Sequence, residues 1–123
     1  MSMQDLFGSK PINLKWNVVR GDTAKLKVEF LENDESTYFD ISDWTFASSS
    51  YDTKGEVLDE LEVDKFTGYV EIVAPSDITE NWGVGFSSVV AELAFDLEVI
   101  VDNEIWTPII GTIVVAADVT GGL

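Results

Sequence analysis

Arg20-Gly21-Asp22 and a large surplus of carboxylates are what this sequence offers to chemistry. The tripeptide is one that extracellular ligands present to integrins. Here it sits in "VVRGDT", squeezed between two stretches of alternating apolar and polar residues. Gly21 can adopt a positive φ without steric cost, and Asp22 can bond backbone amides two residues on. A structural turn over Arg20, Gly21, Asp22 and Thr23 is therefore expected, in place of a mobile adhesion loop.

The carboxylates number 23 against seven Lys and Arg, for a net charge of −16. At that density, two neighbouring acids carry little information. Glycoside hydrolysis by paired carboxylates needs a defined sugar cleft between them, and none is identifiable. The absence of His and Cys removes the commonest general base, the thiol nucleophile and thiolate zinc sites. Lysines are few, and no serine stands in a nucleophile-elbow context. Asp34, Glu35, Asp40 and Asp43 offer the oxygen ligands calcium favours, without the spacing of an EF-hand loop. They read as a solvated acidic loop. No catalytic residue, no metal and no cofactor are expected, so the chain reads as non-enzymatic.

The same charge selects partners. An acidic surface repels phosphate backbones and anionic membranes, so neither nucleic acid nor membrane is expected. No apolar run approaches the roughly 20 residues of a membrane helix. The opening "MSMQDLFGSKP" lacks the basic-then-apolar order of a secretory signal. Apolar residues make up 46% of the 123, with four Trp, three Tyr and seven Phe, which fits one folded domain with a substantial core.

The elements follow from period-two patterning. "NLKWNVV" alternates Leu14, Trp16 and Val18 against Lys15 and Asn17, and "TAKLKVEF" alternates Ala24, Leu26, Val28 and Phe30 against Lys25, Lys27 and Glu29. "WTFASSSY" reads as a strand with Trp44, Phe46 and Ser48 inward, at an edge or under a neighbour. "DTKG" is a turn with Gly55 left-handed. "EVLDELEV" is a strand of ambiguous register, and "YVEIVA" places Val70 and Ile72 on one face. Pro75 stops that strand; Ser76 can cap a helical turn, and Asp77 and Glu80 sit where a helix N-terminus tolerates negative charge. "VVAELAFDLEVIV" is the clearest strand, with Ala91, Leu93, Phe95, Leu97, Val99 and Val101 inward. Asp102-Asn103 suits a two-residue hairpin loop. Pro108 in the returning strand marks an edge or a bulge.

The expected class is all-β: an antiparallel sandwich, immunoglobulin-like or jelly-roll-like, of seven or eight short strands with at most one short helical turn. Residues 1–12 read as a flexible arm, 13–120 as the single domain and 121–123 as a tail. The aromatics of flexible-looking segments are the partner-contact candidates: Leu6 and Phe7 in the arm, Trp82 and Phe86 beside the glycines of 83–88. For Trp82 and Phe86, core plugging is the equal alternative.

Taken in order, "VRGDT", "FDISDWTF", a "KG" turn, "APSDIT", "FDLEV", "DN", Gly111 and "VVAADVT" resemble a group of small phage virion proteins of the tail, baseplate or head-accessory kind. The group's pattern runs RGDT, Asp-Leu before an aromatic strand, Thr in a short turn, Tyr-Asp-Leu in a long strand, Gly, then Asp-Val-Thr. Arg20 to Thr23 match its opening, Asp40-Ile41 its Asp-Leu, Thr79 its Thr, Phe95-Asp96-Leu97 its Tyr-Asp-Leu, and Asp118-Val119-Thr120 its close. Tyr51 stands where the group has Arg, the 81–90 connection is longer, and the arm is added. The resemblance implies a building block of the virion, present in multiple copies in a symmetric assembly and held by other virion structural proteins, with no catalytic residues. The alternative is a host-surface or glycan recognition module, assisted by calcium.

Overall fold

In the computed structural model, the described residues are 10–32, 34–82 and 90–116. They form seven strands: β1 (Ile12–Val19), β2 (Ala24–Glu29), β3 (Thr45–Tyr51), β4 (Val57–Lys65), β5 (Tyr69–Ala74), β6 (Val90–Val101) and β7 (Glu104–Ala116). One helical turn, α1 (Ser76–Thr79), follows β5. The all-β class stands.

The strands hydrogen-bond in the order β1-β7-β6-β3-β4-β5-β2, as one sheet. β1 and β2 are its two edges, yet only Arg20 to Thr23 join them. Laid flat, seven strands would separate the edges by about 29 Å, at a spacing of about 4.8 Å. Five backbone steps reach at most about 18 Å. The sheet must therefore curl until its edges approach each other, and the result is nearly a barrel. β4 is the corner that permits the curl. Its first half pairs with β3, Ser48 opposite Leu61, and its second half with β5, Glu62 opposite Val73.

Two features differ from a purely antiparallel sandwich. The pairing is continuous around the curl, and β1 runs parallel to β7, with Leu14 opposite Gly111 and Trp16 opposite Ile113. β3 lies between β6 and β4, so it is no edge. Its small serines are instead covered. Ser48 and Ser50 are buried, and their hydroxyls donate to the Asp96 and Asp59 carbonyls.

The inward residues of β1, β2, β3 and β6 are those the alternation marks. Trp16, Val18, Val28, Trp44, Phe95, Leu97 and Val99 are all buried. Trp16 meets Phe95 edge-on at 5.6 Å, and Phe30 packs on Trp44 and Trp106 at 5.2 and 6.3 Å. Edge-to-face packing of this kind suits the ring quadrupole. Gly111 is dictated by closeness: a Cβ there would stand 2.2 Å from the Leu14 carbonyl oxygen and 2.7 Å from the Phe95 ring.

The turns follow their chemistry. Asp102 and Asn103 have φ of 51° and 66°, as the two-residue hairpin loop requires. Pro108 sits at a bulge, since the β6–β7 register shifts between Leu97 and Val99. It precedes the first β1–β7 pair, Ile12 with Ile109, so its missing N–H costs no ladder bond. At α1 the residue in the N-cap position is Pro75, without a side-chain cap, and Glu80 lies at the C-cap. The capping expected of Ser76, and an N-terminal place for Glu80, are corrected accordingly. No helix of the described residues is long and apolar enough to cross a membrane.

Candidate functional site

The residues between β1 and β2 are stitched to the segment after β5. Gly21 has φ of 90°, and its N–H donates to Thr79 Oγ1 at 3.1 Å. Thr79 Oγ1 in turn donates to the Asp22 carbonyl at 2.7 Å, and Thr79 is fully buried. Arg20 Nε donates to the Trp82 carbonyl at 2.7 Å, and the Arg20 N–H to the Ala116 carbonyl at 2.8 Å. The buried Thr79 hydroxyl at this end thus has both a donor and an acceptor, as its desolvation demands. Arg20, Gly21 and Asp22 form a structural turn. Asp22 contributes backbone groups, its N–H donating to Val19 O at 3.0 Å; the carboxylate-to-amide bond expected of it is not among those of the described residues.

Trp82 is correspondingly a core residue. It is 1% exposed, and its Nε1 donates to Asp59 Oδ2 at 2.9 Å. This corrects its assignment as a partner contact: burying the indole needs an acceptor for its N–H, and Asp59 on β4 supplies one. Leu6, Phe7 and Phe86 lie outside the described residues, as do Asp118, Val119 and Thr120.

The other end of the β1–β2 pair is open. An apolar groove of about 260 Å³ lies between Lys10 and Ile12 on one lip and Val28 to Leu31 on the other, floored by Trp106 and Pro108. Ile12 is 63% exposed there. Neither edge strand has a ladder partner on its groove side. Sequence patterning did not single out Ile12, Trp106 or Pro108 as a surface. The available signal was Ile12 extending the inward series of Leu14, Trp16 and Val18 one step beyond the core.

A second surface lies on β2, β5 and the preceding loop. Phe66 and Tyr69 stack at 4.9 Å with ring planes 13° apart, and Lys27 Nζ sits 4.4 Å over Tyr69. Tyr38 donates to Glu29 Oε2 at 3.0 Å, which holds its hydroxyl pKa above the usual phenol value. A shallow pocket of about 340 Å³ adjoins, lined by Asp40, Ser42, Lys65, Phe66 and Thr67. The Ser42 hydrogen bonds hold the Asp40 carboxyl below the ordinary carboxylate range.

The acidic loop is held by its own turn chemistry. Asp34 accepts the Thr37 hydroxyl and the Ser36 and Thr37 amides, and its pKa falls to about 2, chiefly through Thr37. Among the described residues no three acidic side chains converge into a metal-holding group. On β6, Asp96 accepts the Tyr51 hydroxyl at 2.8 Å and the Ser49 amide at 3.2 Å. Burial and Asp96 raise the Tyr51 pKa to about 12.

No family model matches the chain, and no curated protein matches it. Among solved structures, it is similar to a chain of the ZIG-8–RIG-5 IG1–IG1 heterodimer, at 13% identity and a TM-score of 0.45, covering 87% of this chain and 83% of that one. It is also similar to part of the 2,6-sialyltransferase of Vibrionaceae Photobacterium sp. JT-ISH-224, crystallised with CMP and lactose, at 12% identity and a TM-score of 0.31. There it covers 87% of this chain but spans only 18% of the enzyme chain.

Proposed function

We propose that this chain is a non-enzymatic structural component of a phage virion, in the tail, baseplate, neck or capsid surface, acting through contacts with neighbouring virion proteins. The observation that carries the reading is the pair of unpaired edge strands, β1 and β2, flanking an apolar groove. Open sheet edges invite pairing, and assembly proteins exploit what other proteins must block. The ordered resemblance from Arg20 to Thr120 supports the virion setting. Within it, Gly21 and Asp22 bond Thr79, and Asp96 bonds Tyr51, so the matching positions act in the scaffold. We read the curl as the two layers of an immunoglobulin-like sandwich that share β4. Localisation in intact particles by electron microscopy tests the role. The expected result is a repeated position on a symmetry axis or lattice; particles devoid of the chain would sink it, as would turnover of a substrate by the purified protein.

A second reading, host-glycan recognition, is favoured by the exposed Tyr38, the Phe66–Tyr69 stack and the polar pocket beside them. Exposed rings with nearby hydrogen-bonding groups suit sugar faces. Glycan-array binding lost on Phe66→Ala, run with and without calcium, would favour this reading over a pure building block.

A further inference from the structure

The inward series of β1 loses its cover towards the start of the strand. Val18 and Trp16 are 3% and 5% exposed, Leu14 is half-buried, and Ile12 is 63% exposed. Across the groove, the chain just past β2 presents Phe30, buried, and Leu31, half-buried. Between them lies the groove of about 260 Å³, floored by Trp106 and Pro108. Among the described residues, the charged side chains lining it are Lys10 and Glu29, one of each sign. Charge therefore selects no partner here. An occupant of this groove is chosen by its apolar side chains, as at the centre of any interface.

The chain carries such side chains next to the groove. Residues 1–9 lie outside the described residues, and they join the domain at Lys10, on the lip. They include Met1, Met3, Leu6 and Phe7, against one charged side chain, Asp5. Phe7 is three residues from the lip and Leu6 four, so their reach from it is at most about 11 and 14 Å. Gly8 stands between Phe7 and the lip, where a reversal of the chain has no Cβ to accommodate. A tether this short gives an effective concentration on the order of millimolar, which any separate partner must match to compete.

We propose that the Leu6-Phe7 pair docks into the β1–β2 groove of its own chain, with the Phe7 ring against Trp106. Natural sheets guard open edges by laying a loop or helix over them. The arm does so at the end of β1 and β2 that the Thr79 hydrogen bonds do not hold. This docking does not depend on the assembly role above; where that role holds, a neighbour reaches the groove by displacing the arm.

Nuclear Overhauser measurements on the full chain test the contact. Cross-peaks are expected from the Phe7 ring protons to the Trp106 indole and to methyls of Ile12, Val28 or Leu31. Leu6→Ser/Phe7→Ser should lose them and shift the Trp106 and Leu31 resonances. The Thr79 and Trp82 resonances at the opposite end should stay in place, which shows that the variant is folded. Mixing chains labelled in the arm with chains labelled in the groove separates the chain's own arm from a neighbour's, and no contact between the two populations is expected. A wild-type chain without Phe7-to-groove cross-peaks overturns the proposal, as do groove resonances that the double substitution leaves unmoved. Cross-peaks found only between differently labelled chains overturn it too, and assign the groove to a second copy. Residence in a virion is read separately, by particle localisation, and stands or falls apart from these results.

Discussion

The two ends of β1 and β2 are built in opposite ways. At the Arg20–Thr23 end, Thr79 is fully buried and bonded to both Gly21 and Asp22, and Trp82 is anchored on Asp59. At the Lys10 end the same strands part around an apolar groove, with Ile12 mostly exposed. The closed end holds the curl; the open end leaves both strand edges without a ladder partner. A fully closed barrel has no edges; this sheet, left apart at one end, keeps two.

Several substitutions sharpen that contrast. Trp82→Ala removes a buried indole and strands Asp59, and should cost about 3–5 kcal/mol in urea unfolding. Its counterpart at the open end, Ile12→Ala, should change stability by no more than about 0.5 kcal/mol, as an exposed site does. If Ile12→Ala were as damaging as Trp82→Ala, the two ends would not differ as described. Next comes Thr79→Val, which leaves Gly21 N–H without its hydroxyl acceptor and should cost about 1–3 kcal/mol. Gly111→Ala drives a methyl into the Leu14 carbonyl. It should cost about 1–3 kcal/mol, with amide exchange quickening in β1 ahead of β2.

The smallest effects are titrations away from both ends. Tyr51 has a folded pKa of about 12, above the ordinary 10.0. Its contribution is whole below about pH 10 and is lost as pH rises through about 12. Phenolate absorbance should show one tyrosine ionising near pH 12, and Tyr51→Phe should abolish that phase. Asp34 runs the other way. Its pKa of about 2 lies below the ordinary 3.8, so the turn it holds is intact above about pH 4 and loosens as pH falls through about 2. Carboxyl carbon shifts of Asp34 measured by nuclear magnetic resonance would check the midpoint, and a midpoint near 4 would remove the claim.

Much of this was legible from residue order. The inward faces of β1, β2, β3 and β6, the turns at Gly21, Gly55 and Asp102-Asn103, and the all-β class follow from alternation and turn chemistry acting within a few residues. Trp82 was not legible. Its fate depends on Asp59, 23 positions away in sequence, and a Trp beside glycines looks the same whether plugged or displayed. The ambiguous register of 56–63 had a similar cause. β4 changes partners midway and carries a bulge, so no single period describes it. The arm candidates Leu6 and Phe7, and Phe86, fall outside the described residues.

The sequence alone determined strand faces, tight turns, the absence of His and Cys chemistry, and the clustering of basic residues in 10–27. All of these are set by side-chain type and near neighbours. Only the tertiary structure decided that β1 and β2 are the two edges of one curled sheet, that β1 lies parallel to β7, and that Ile12, Trp106 and Pro108 line one apolar groove. Those outcomes depend on pairings between strands far apart in the chain, which local periodicity does not encode.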